Sequence, residues 1–235
     1  MALPMPHPEE SLEPDLSHLV TEDDTPVDSV YSEKQMRLLT SSLYASWKPG
    51  RDFLALANVG LFARPENPAL VPDVMLSLDV TLPEDIFEKG NRCYMVWRYG
   101  KPPDLVIEVV SNNEGGELEK AETYARIGIG YYVVHDPGHW LGERPLRAFE
   151  LHGRRYVELL DCSWFEQLGV GLTLWKGTFE GWHDTWLRWC DQEGHLLPTG
   201  EEQRERAETA EAQVREQRKR AERLQARLRE LGVDM

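Results

Sequence analysis

One segment of the sequence restricts the fold more than any other, the run Leu105-Val-Ile-Glu-Val-Val110. Its apolar, largely β-branched residues are typical of a strand that is buried on both faces of a sheet. A polar, Gly-containing turn, a helix from Leu118 to Gly128 and a second apolar strand, Tyr131–His135, follow it. Strand, helix and strand with short connections form a right-handed crossover, so the two strands are predicted to be parallel neighbours.

The sequence around this crossover predicts one more helix and several strands. The helix is expected to begin at a capping box formed by Ser32 and Gln35 and to end before Pro49-Gly50. Further strands are predicted at 53–57, 70–80, 93–97 and 168–174, and hairpins at 146–160 and 186–197. The predicted fold class is α/β of the α+β kind, with a mixed sheet, flanking helices and β-hairpins.

Composition divides the chain into three predicted regions. Residues 1–30 contain eight acidic residues and no Lys or Arg, which predicts a disordered acidic tail. Residues 31–199 are predicted to form the folded domain, which ends at Pro198-Thr-Gly200. Residues 200–235 are rich in Glu, Arg, Ala, Gln and Leu, and their apolar residues recur at alternating spacings of three and four. This heptad predicts a C-terminal coiled-coil helix and a homodimer through residues 203–231, and the alternative is a lone amphipathic helix.

Charge and cysteine content limit the classes of function. The net charge is −15, and residues 31–199 alone carry 24 acidic against 17 basic residues, so nucleic-acid binding requires a local basic patch and cations at any acidic site. No apolar run reaches the length of a membrane span, and no secretory signal is expected. The three cysteines lack C-x-x-C spacing, which fits a reducing, cytoplasmic location.

The acidic residue inside the strongest strand is the first candidate for chemistry. Glu108 lies in an apolar run, and a buried carboxylate without a partner is unfavourable by several kcal/mol. Lys120 is the only basic residue between Lys101 and Arg126, and it lies on the following helix. Tyr124 is placed four residues later on the same helical face.

A second acidic position is suggested by a repeated dipeptide. Pro72-Asp73 introduces one predicted strand and Pro103-Asp104 introduces the strand of Glu108. Carboxylates offered by two strands near one sheet edge are suited to a hard divalent cation, since Mg²⁺ is typically held by one or two carboxylates and several waters. Asp104 has an alternative role, in which it caps the strand entrance through an Asx-type hydrogen bond.

The order of these residue types resembles the Uma-two (Uma2) family of restriction-endonuclease-like proteins in the PD-(D/E)XK superfamily. The resemblance extends from about Tyr31 to the C-terminus and is carried by four segments: Val71-Pro-Asp73-Val, Pro103-Asp-Leu-Val-Ile-Glu108-Val-Val-Ser111, Lys120-x-x-x-Tyr124-x-x-x-Gly128 and Tyr132-Val-Val-x-Asp136-Pro137. The chain departs from the superfamily pattern at Val110, where a lysine is expected. In the related family that lysine lies on the next helix, as Lys120 does here.

The resemblance implies a magnesium-dependent endonuclease acting on DNA, with Mn²⁺ able to replace Mg²⁺. The resemblance implies that Asp73 and Glu108 bind the metal, with the Val109 carbonyl as a further ligand, and Asp104 is a third metal candidate beside them. Lys120 is expected to orient the attacking water and stabilise phosphorane charge, with Tyr124 in support. The alternative is a catalytically inactive nuclease-fold module that self-associates through its coiled coil, in which Glu108 and Lys120 form a structural ion pair.

Overall fold

The computed structural model describes residues 29–111 and 116–230, without the side chains of residues 117–119 and 228–230. Most of the predicted acidic tail therefore lies outside the described residues. The chain is divided into two compact units. The first contains the residues up to Glu33 together with Arg51–Leu160, and the second contains Lys34–Gly50 together with the residues from Asp161 onward.

The first helix, α1, extends from Val30 to Ser46 and begins two residues before the predicted start. The predicted capping box is wrong, because the capping residue is Ser29. Its Oγ accepts a hydrogen bond from the backbone N–H of Ser32 at 3.0 Å, which is the contact an N-cap side chain makes with the third helical residue. Ser32 is thus inside the first turn.

The first unit is built on a six-stranded mixed sheet. Its strands occur in the order β1-β3-β5-β6-β7-β8, and all neighbours are antiparallel except β5 and β6. The elements in chain order are β1 (Phe53–Ala57), β2 (Leu61–Phe62), β3 (Val74–Leu78), β4 (Tyr94–Met95), α2 (Val96–Tyr99), β5 (Leu105–Val109), α3 (Glu117–Ile127), β6 (Tyr131–His135), β7 (Leu146–His152) and β8 (Arg155–Leu159).

The crossover at the centre of the sheet is confirmed. β5 and β6 are parallel, with Glu108 opposite Val134, and every residue of both strands is buried. Helix α3 ends at Gly128, which adopts a φ of +94° and donates its N–H to the Tyr124 carbonyl. Side chains from the sheet and from α3 share one apolar cluster that includes Val106 and Tyr132.

Two strand predictions in the first unit are too long. The segment predicted at 70–80 forms a strand only from Val74, since Pro72 has no N–H to donate to a ladder. The segment predicted at 93–97 forms the two-residue strand β4, which pairs in parallel with β2, and the chain then turns into α2. This short helix ends at Gly100 in the left-handed conformation.

The second unit contains the rest of α1, a long hairpin and a C-terminal helix. The hairpin joins β9 (Gly171–Phe179) to β10 (Trp182–Cys190) through Glu180 and Gly181, both with positive φ. The hairpin predicted at 186–197 is therefore wrong in its main pairing, although a single bridge joins Cys190 to Leu196.

Helix α1 packs on β10 in the second unit through buried polar contacts as well as apolar ones. The Gln35 amide donates to the Leu187 carbonyl at 2.8 Å and accepts from the Leu187 N–H at 2.9 Å. The Trp189 indole donates to the Leu39 carbonyl at 2.9 Å. Trp186 and Trp189 are fully buried, which fits a core-filling role for them.

The C-terminal helix, α4 (Gly200–Glu230), starts at a capping box that the sequence analysis did not identify. Thr199 Oγ1 accepts the Glu202 N–H at 3.2 Å, and Glu202 accepts the Thr199 N–H at 2.8 Å. Glu202 also accepts two hydrogen bonds from the buried guanidinium of Arg188. This fixes the first turn of α4 to β10.

The predicted fold class is confirmed as a mixed α+β architecture with a central mixed sheet, hairpins, flanking helices and a C-terminal helix. Among the described residues, none of the helices combines the length and the apolar character that a membrane span requires.

Candidate active site

The start of β3 brings two acidic residues close together. Val74 is paired with Ile107 as the last pair of this antiparallel ladder, and Asp73 lies one residue beyond it, beside the end of β5. The Asp73 carboxylate contacts the backbone of Val109, and its charge acts on the neighbouring Glu108. The structure therefore brings together the two carboxylates that the sequence predicted from separate segments.

Helix α3 covers this position and supplies two hydrogen-bond donors to Glu108. Lys120 Nζ donates to one carboxylate oxygen at 2.7 Å, and the Tyr124 hydroxyl donates to the other at 2.6 Å. The two donors are four residues apart and so lie on one face of the helix. Glu108 and Tyr124 are buried, whereas the Lys120 side chain keeps 45% of its surface exposed.

The surroundings oppose ionisation of Glu108. Burial raises its pKa to about 7, the Lys120 ammonium opposes that shift, and the neighbouring Asp73 carboxylate adds to it. Burial and the Glu108 charge raise the pKa of Tyr124 far above its ordinary value. Tyr124 therefore remains a neutral donor to Glu108 and does not act as a base.

Asp73 is held by the backbone of the strand beside it. β3 begins at Val74, so beyond that point its backbone no longer pairs with β5. The Asp73 carboxylate takes that place and accepts the Val109 N–H at 2.6 Å. This contact orients Asp73 beside Glu108 and satisfies a backbone donor at the strand end.

The oxygen atoms of Asp73 and Glu108 are suited to binding a hard divalent cation. Two carboxylates lie side by side, and the raised pKa of Glu108 reflects burial and repulsion that a cation would relieve. Carboxylates and a backbone carbonyl such as that of Val109 are the ligands that Mg²⁺ and Mn²⁺ prefer. Asp73 and Glu108 are therefore the residues of this site that can hold such an ion.

Asp104, the third predicted metal candidate, lies at the other end of β5. It is four residues from Glu108, or about 13 Å along a strand. Its carboxylate accepts the Leu78 N–H at 2.7 Å and also contacts Lys101. The structure does not bring Asp104 together with the other two acids. Its contact with Leu78 joins β5 to β3 and is not the local Asx-type hydrogen bond of the alternative role.

A buried histidine, His135, adjoins the site. His135 lies opposite Val109 on β6, and burial lowers its pKa to about 4. Its Nδ1 is 3.2 Å from the Pro145 carbonyl and its Nε2 is 2.9 Å from the Tyr31 hydroxyl. A neutral imidazole that donates to the carbonyl and accepts from Tyr31 satisfies both contacts.

The chain leaves β6 through a loop that Asp136 holds in place. The buried Asp136 carboxylate accepts the N–H groups of Trp140 and Leu141 at 2.9 and 2.7 Å. The loop is also closed by a bond from the Asp136 N–H to the Pro145 carbonyl. Trp140 in this loop keeps half of its surface exposed.

A second acidic group occurs in the second unit. Ligand atoms of Asp191, Glu193 and His195 lie within 4.8 Å of one another in the turn after β10. Asp191 accepts the N–H groups of Glu193 and His195, so its role in the structure is that of a turn residue. Exposed acidic groups are common in such turns, and no site is inferred from this one.

Comparison with known protein families identifies one that this chain matches. The sequence model of the Uma2 family, described as "Putative restriction endonuclease", matches residues 8–167. The match includes the site residues and ends before β9, whereas the resemblance was expected to continue to the C-terminus.

One similar solved structure is titled a "putative nuclease belonging to DUF820" from Anabaena variabilis. It is 15% identical, covers 59% of this chain and 72% of its own, and has a TM-score of 0.42. Comparison with curated proteins finds no match.

Proposed function

The chain belongs to the Uma2 family, and from this premise we propose that it is a magnesium-dependent endonuclease that hydrolyses phosphodiester bonds of DNA. The observation that supports the proposal most directly is that Asp73 lies beside Glu108, with Lys120 hydrogen-bonded to Glu108. A carboxylate pair beside a partly exposed lysine is suited to chemistry on an anionic phosphate.

Each site residue has a distinct part in the proposed reaction. When bound, Mg²⁺ or Mn²⁺ supplies Lewis-acid polarisation of the phosphate and lowers the pKa of water. Asp73 and Glu108 would hold that ion. Lys120 orients the attacking water and stabilises negative charge that develops on the phosphate. Tyr124 fixes the rotamer of Glu108 through its hydroxyl, and the Val109 N–H does the same for Asp73.

The proposed partners follow from the family and from the sequence. DNA is the proposed substrate, and the proposed location is cytoplasmic. Two copies of the chain are proposed to pair through residues 203–231. The proposed division into an acidic tail (1–30), a nuclease-like domain (31–199) and a coiled-coil helix (200–235) belongs to the same interpretation.

The first experiment is DNA cleavage by the purified protein with Mg²⁺ or Mn²⁺, on supercoiled, linear and branched DNA. Glu108→Ala, Asp73→Asn and Lys120→Ala are expected to reduce the rate at least a hundredfold, because each removes a proposed cation ligand or the ammonium group that donates to Glu108. Glu122→Gln is the matched control, since Glu122 is exposed on the same helix. Its rate is expected to remain that of the wild type.

The outcome distinguishes the two functions considered for this chain. Cleavage that is lost in the three site variants and kept in the control supports the carboxylate and lysine mechanism. The absence of cleavage on every DNA, together with no stabilisation by Mg²⁺ or Mn²⁺, contradicts it and favours the inactive interaction module. Glu108 and Lys120 would then be a structural ion pair in a non-catalytic fold.

A further inference from the structure

Helix α4 exposes a regular apolar seam. It is 31 residues long, or about 46 Å, and its side chains from Gln203 to Arg227 are exposed. Val214 and Leu224 keep 50% and 57% of their surfaces exposed. The exposed seam has the spacing of heptad positions a and d and consists of Ala207, Ala210, Val214, Gln217, Ala221 and Leu224, a pattern that Leu228 and Leu231 continue in the sequence.

We propose that α4 pairs with α4 of a second copy as a parallel, in-register coiled coil in which the two Gln217 side chains face each other. A second copy is the occupant that a strict 3.5-residue repeat favours, because a helix that packs on a globular surface shows a 3.6-residue period and a broader apolar face. This inference deepens the pairing proposed above and does not depend on nuclease activity.

The polar residue of the seam decides the register. In a parallel, in-register pair, Gln217 lies in the same layer as Gln217 of the second copy, where the two amides can hydrogen-bond. In the antiparallel pair with the greatest overlap, Gln217 instead faces Val214 and its amide remains among apolar atoms. A single Asn or Lys at position a of a coiled coil specifies its register, and by extension Gln217 does so here at position d.

Residues that flank the seam favour the same orientation. In a parallel pair, Arg206 at position g meets Glu211 at position e of the second copy, and symmetry gives two such contacts. The following pairs of flanking positions join Gln213 to Arg218 and Arg220 to Gln225, without like charges. Glu211 also lies 3.5 Å from Arg215 of its own helix, and one carboxylate can accept from both.

The antiparallel pair has a mixed charge pattern at the same positions. It joins Glu211 to Arg218 twice, but it also places Arg206 against Arg227 twice. Attractive and repulsive contacts therefore cancel at the flanking positions of the antiparallel pair, whereas the parallel pair has attractive contacts alone.

The distribution of charge along the two halves of α4 favours antiparallel pairing, but this effect is weaker. Residues 200–213 contain five acidic and two basic residues, and residues 214–229 contain seven basic and two acidic ones. Antiparallel pairing would match these halves. Most of these charges are at positions b, c and f, which point away from the partner, and the Debye length of about 8 Å screens them. Contacts at e, g and the core therefore determine the orientation.

Site-specific cross-linking tests the orientation in the full chain. Ala210→Cys is expected to form a disulfide with itself under mild oxidation, because residue 210 faces residue 210 in the parallel pair. A mixture of Ala210→Cys and Ala221→Cys chains of different size is expected to give no cross-link between unlike chains. The wild type, with Cys93, Cys162 and Cys190, is the control for native thiols.

The result has two ways to overturn the proposal. A cross-link between position 210 and position 221 would show antiparallel pairing. If the protein sediments as a monomer at about 100 μM and forms no cross-link, α4 does not pair with a second copy of the chain. Circular dichroism confirms that the variants keep their helix, and the positions concerned are exposed in the structure.

A charge reversal tests the flanking contacts independently. Glu211→Arg is expected to raise the dimer Kd about tenfold, because it replaces two attractive contacts with two repulsive ones. Adding Arg218→Glu to the same chain should not restore the wild-type Kd, because residue 218 is the partner of residue 211 only in the antiparallel pair. Adding Arg206→Glu instead should restore the wild-type Kd in the parallel pair. Failure of the double variant with Arg206→Glu to recover would overturn the proposed g-to-e contact, and DNA cleavage by either variant does not affect that conclusion.

Discussion

Glu108 occupies a position where the fold opposes the charge that its proposed role requires. Its native pKa of about 7 is higher than the ordinary 4.5, so between these values the folded protein binds more protons than the unfolded chain. Stability from this residue is therefore lost as pH rises from 4.5 to 7 and remains lower above that range. A purely structural ion pair would have the opposite effect.

Glu108→Gln is accordingly expected to stabilise the metal-free protein at pH 8. The gain should be on the order of 3 kcal/mol, since the native pKa of about 7 compares with an ordinary 4.5 and a difference of one unit corresponds to about 1.4 kcal/mol. Below pH 4.5 the two proteins should be equally stable. Urea unfolding in EDTA at pH 4, 6 and 8 measures the difference. A variant that is less stable than the wild type at pH 8 would indicate a structural Glu108–Lys120 pair.

Tyr124→Phe is expected to shift the pH at which the site binds a cation. The hydroxyl donates to the Glu108 carboxylate and lowers its pKa, so removing it should raise that pKa further, by about one unit for a hydrogen bond to a charged group. The midpoint of Mn²⁺-induced thermal stabilisation against pH should rise by the same amount, because protons compete with the metal.

Tyr156→Phe is the control for that measurement. Its hydroxyl donates to the Ile129 carbonyl, and the ring packs on the same apolar cluster as Tyr124. Removal of this hydroxyl costs a hydrogen bond of similar burial without touching Glu108. If both variants shift the midpoint equally, the effect is one of general destabilisation and not of the Glu108 contact.

At the residue scale, the sequence identified which side chains interact with Glu108 better than it identified where the other acidic residues lie in the fold. The polar interruption of an apolar strand identified Glu108, and the spacing on the next helix identified Lys120 and Tyr124. The two Pro-Asp pairs looked equivalent, yet β3 and β5 are antiparallel. The start of β3 therefore lies at the end of β5, which places Asp73 beside Glu108 and Asp104 far from it.

At the scale of elements, the hydrogen bonds between Arg188 of β10 and Glu202 of α4, called here the clamp, determine where the C-terminal helix begins. Arg188 is buried and donates to both oxygens of Glu202, which also closes the capping box with Thr199. The Arg188 hydrogen bond is the main reason that the pKa of Glu202 is lowered. A lowered native pKa gives stability that is present above the unfolded pKa of about 4.5 and is lost as pH falls through the native pKa.

Glu202→Gln should therefore destabilise the protein by about 1–2 kcal/mol at neutral pH, since it leaves the buried guanidinium with a weaker acceptor. The difference should shrink as the pH falls below 4.5. Thermal unfolding followed by tryptophan fluorescence measures it, because Trp175 lies against the Arg188 guanidinium. Glu205→Gln, exposed one turn later, should match the wild type, and an equal loss there would refute the clamp.

Elements were predictable where the pattern is local and periodic. β1 and β6 have the bounds that the sequence predicted, since their apolar runs end at turn residues. The hairpin of β9 and β10 was missed because its turn, Glu180-Gly181, lacks the Asn-Gly or Asp-Gly signal of two-residue turns. The Asp191–Gly194 segment resembles such a signal more closely and drew the prediction to the wrong turn.

At the scale of the whole molecule, the division into two units could not be predicted from the sequence, because it depends on contacts between segments that are distant in the chain. α1 joins β10 through residues about 150 positions apart, such as Gln35 with Leu187 and Leu39 with Trp189. No local pattern encodes that pairing. The predicted domain limits at 31–199 and 200–235 thus remain a prediction, whereas the mixed sheet follows from the crossover at β5 and β6.

The net charge of −15 leads to a prediction about DNA binding itself. A chain of this charge is repelled by DNA, and the neighbouring acids Asp73 and Glu108 add negative charge where the phosphate must approach. A divalent cation at the site should therefore be needed for binding as well as for cleavage. Ca²⁺, which also binds carboxylate oxygens, should support binding without requiring turnover.

Fluorescence anisotropy of a labelled duplex at constant ionic strength measures this requirement. Replacing Ca²⁺ by EDTA is expected to weaken DNA binding by the wild type at least tenfold. The double variant Glu108→Gln with Asp73→Asn should bind DNA with similar affinity in both buffers, because the two carboxylate charges are gone. Equal wild-type affinity with Ca²⁺ and EDTA would contradict the prediction. It would mean that basic residues elsewhere, such as those of 214–229 on α4, supply the DNA affinity and that the acidic pair acts in catalysis alone.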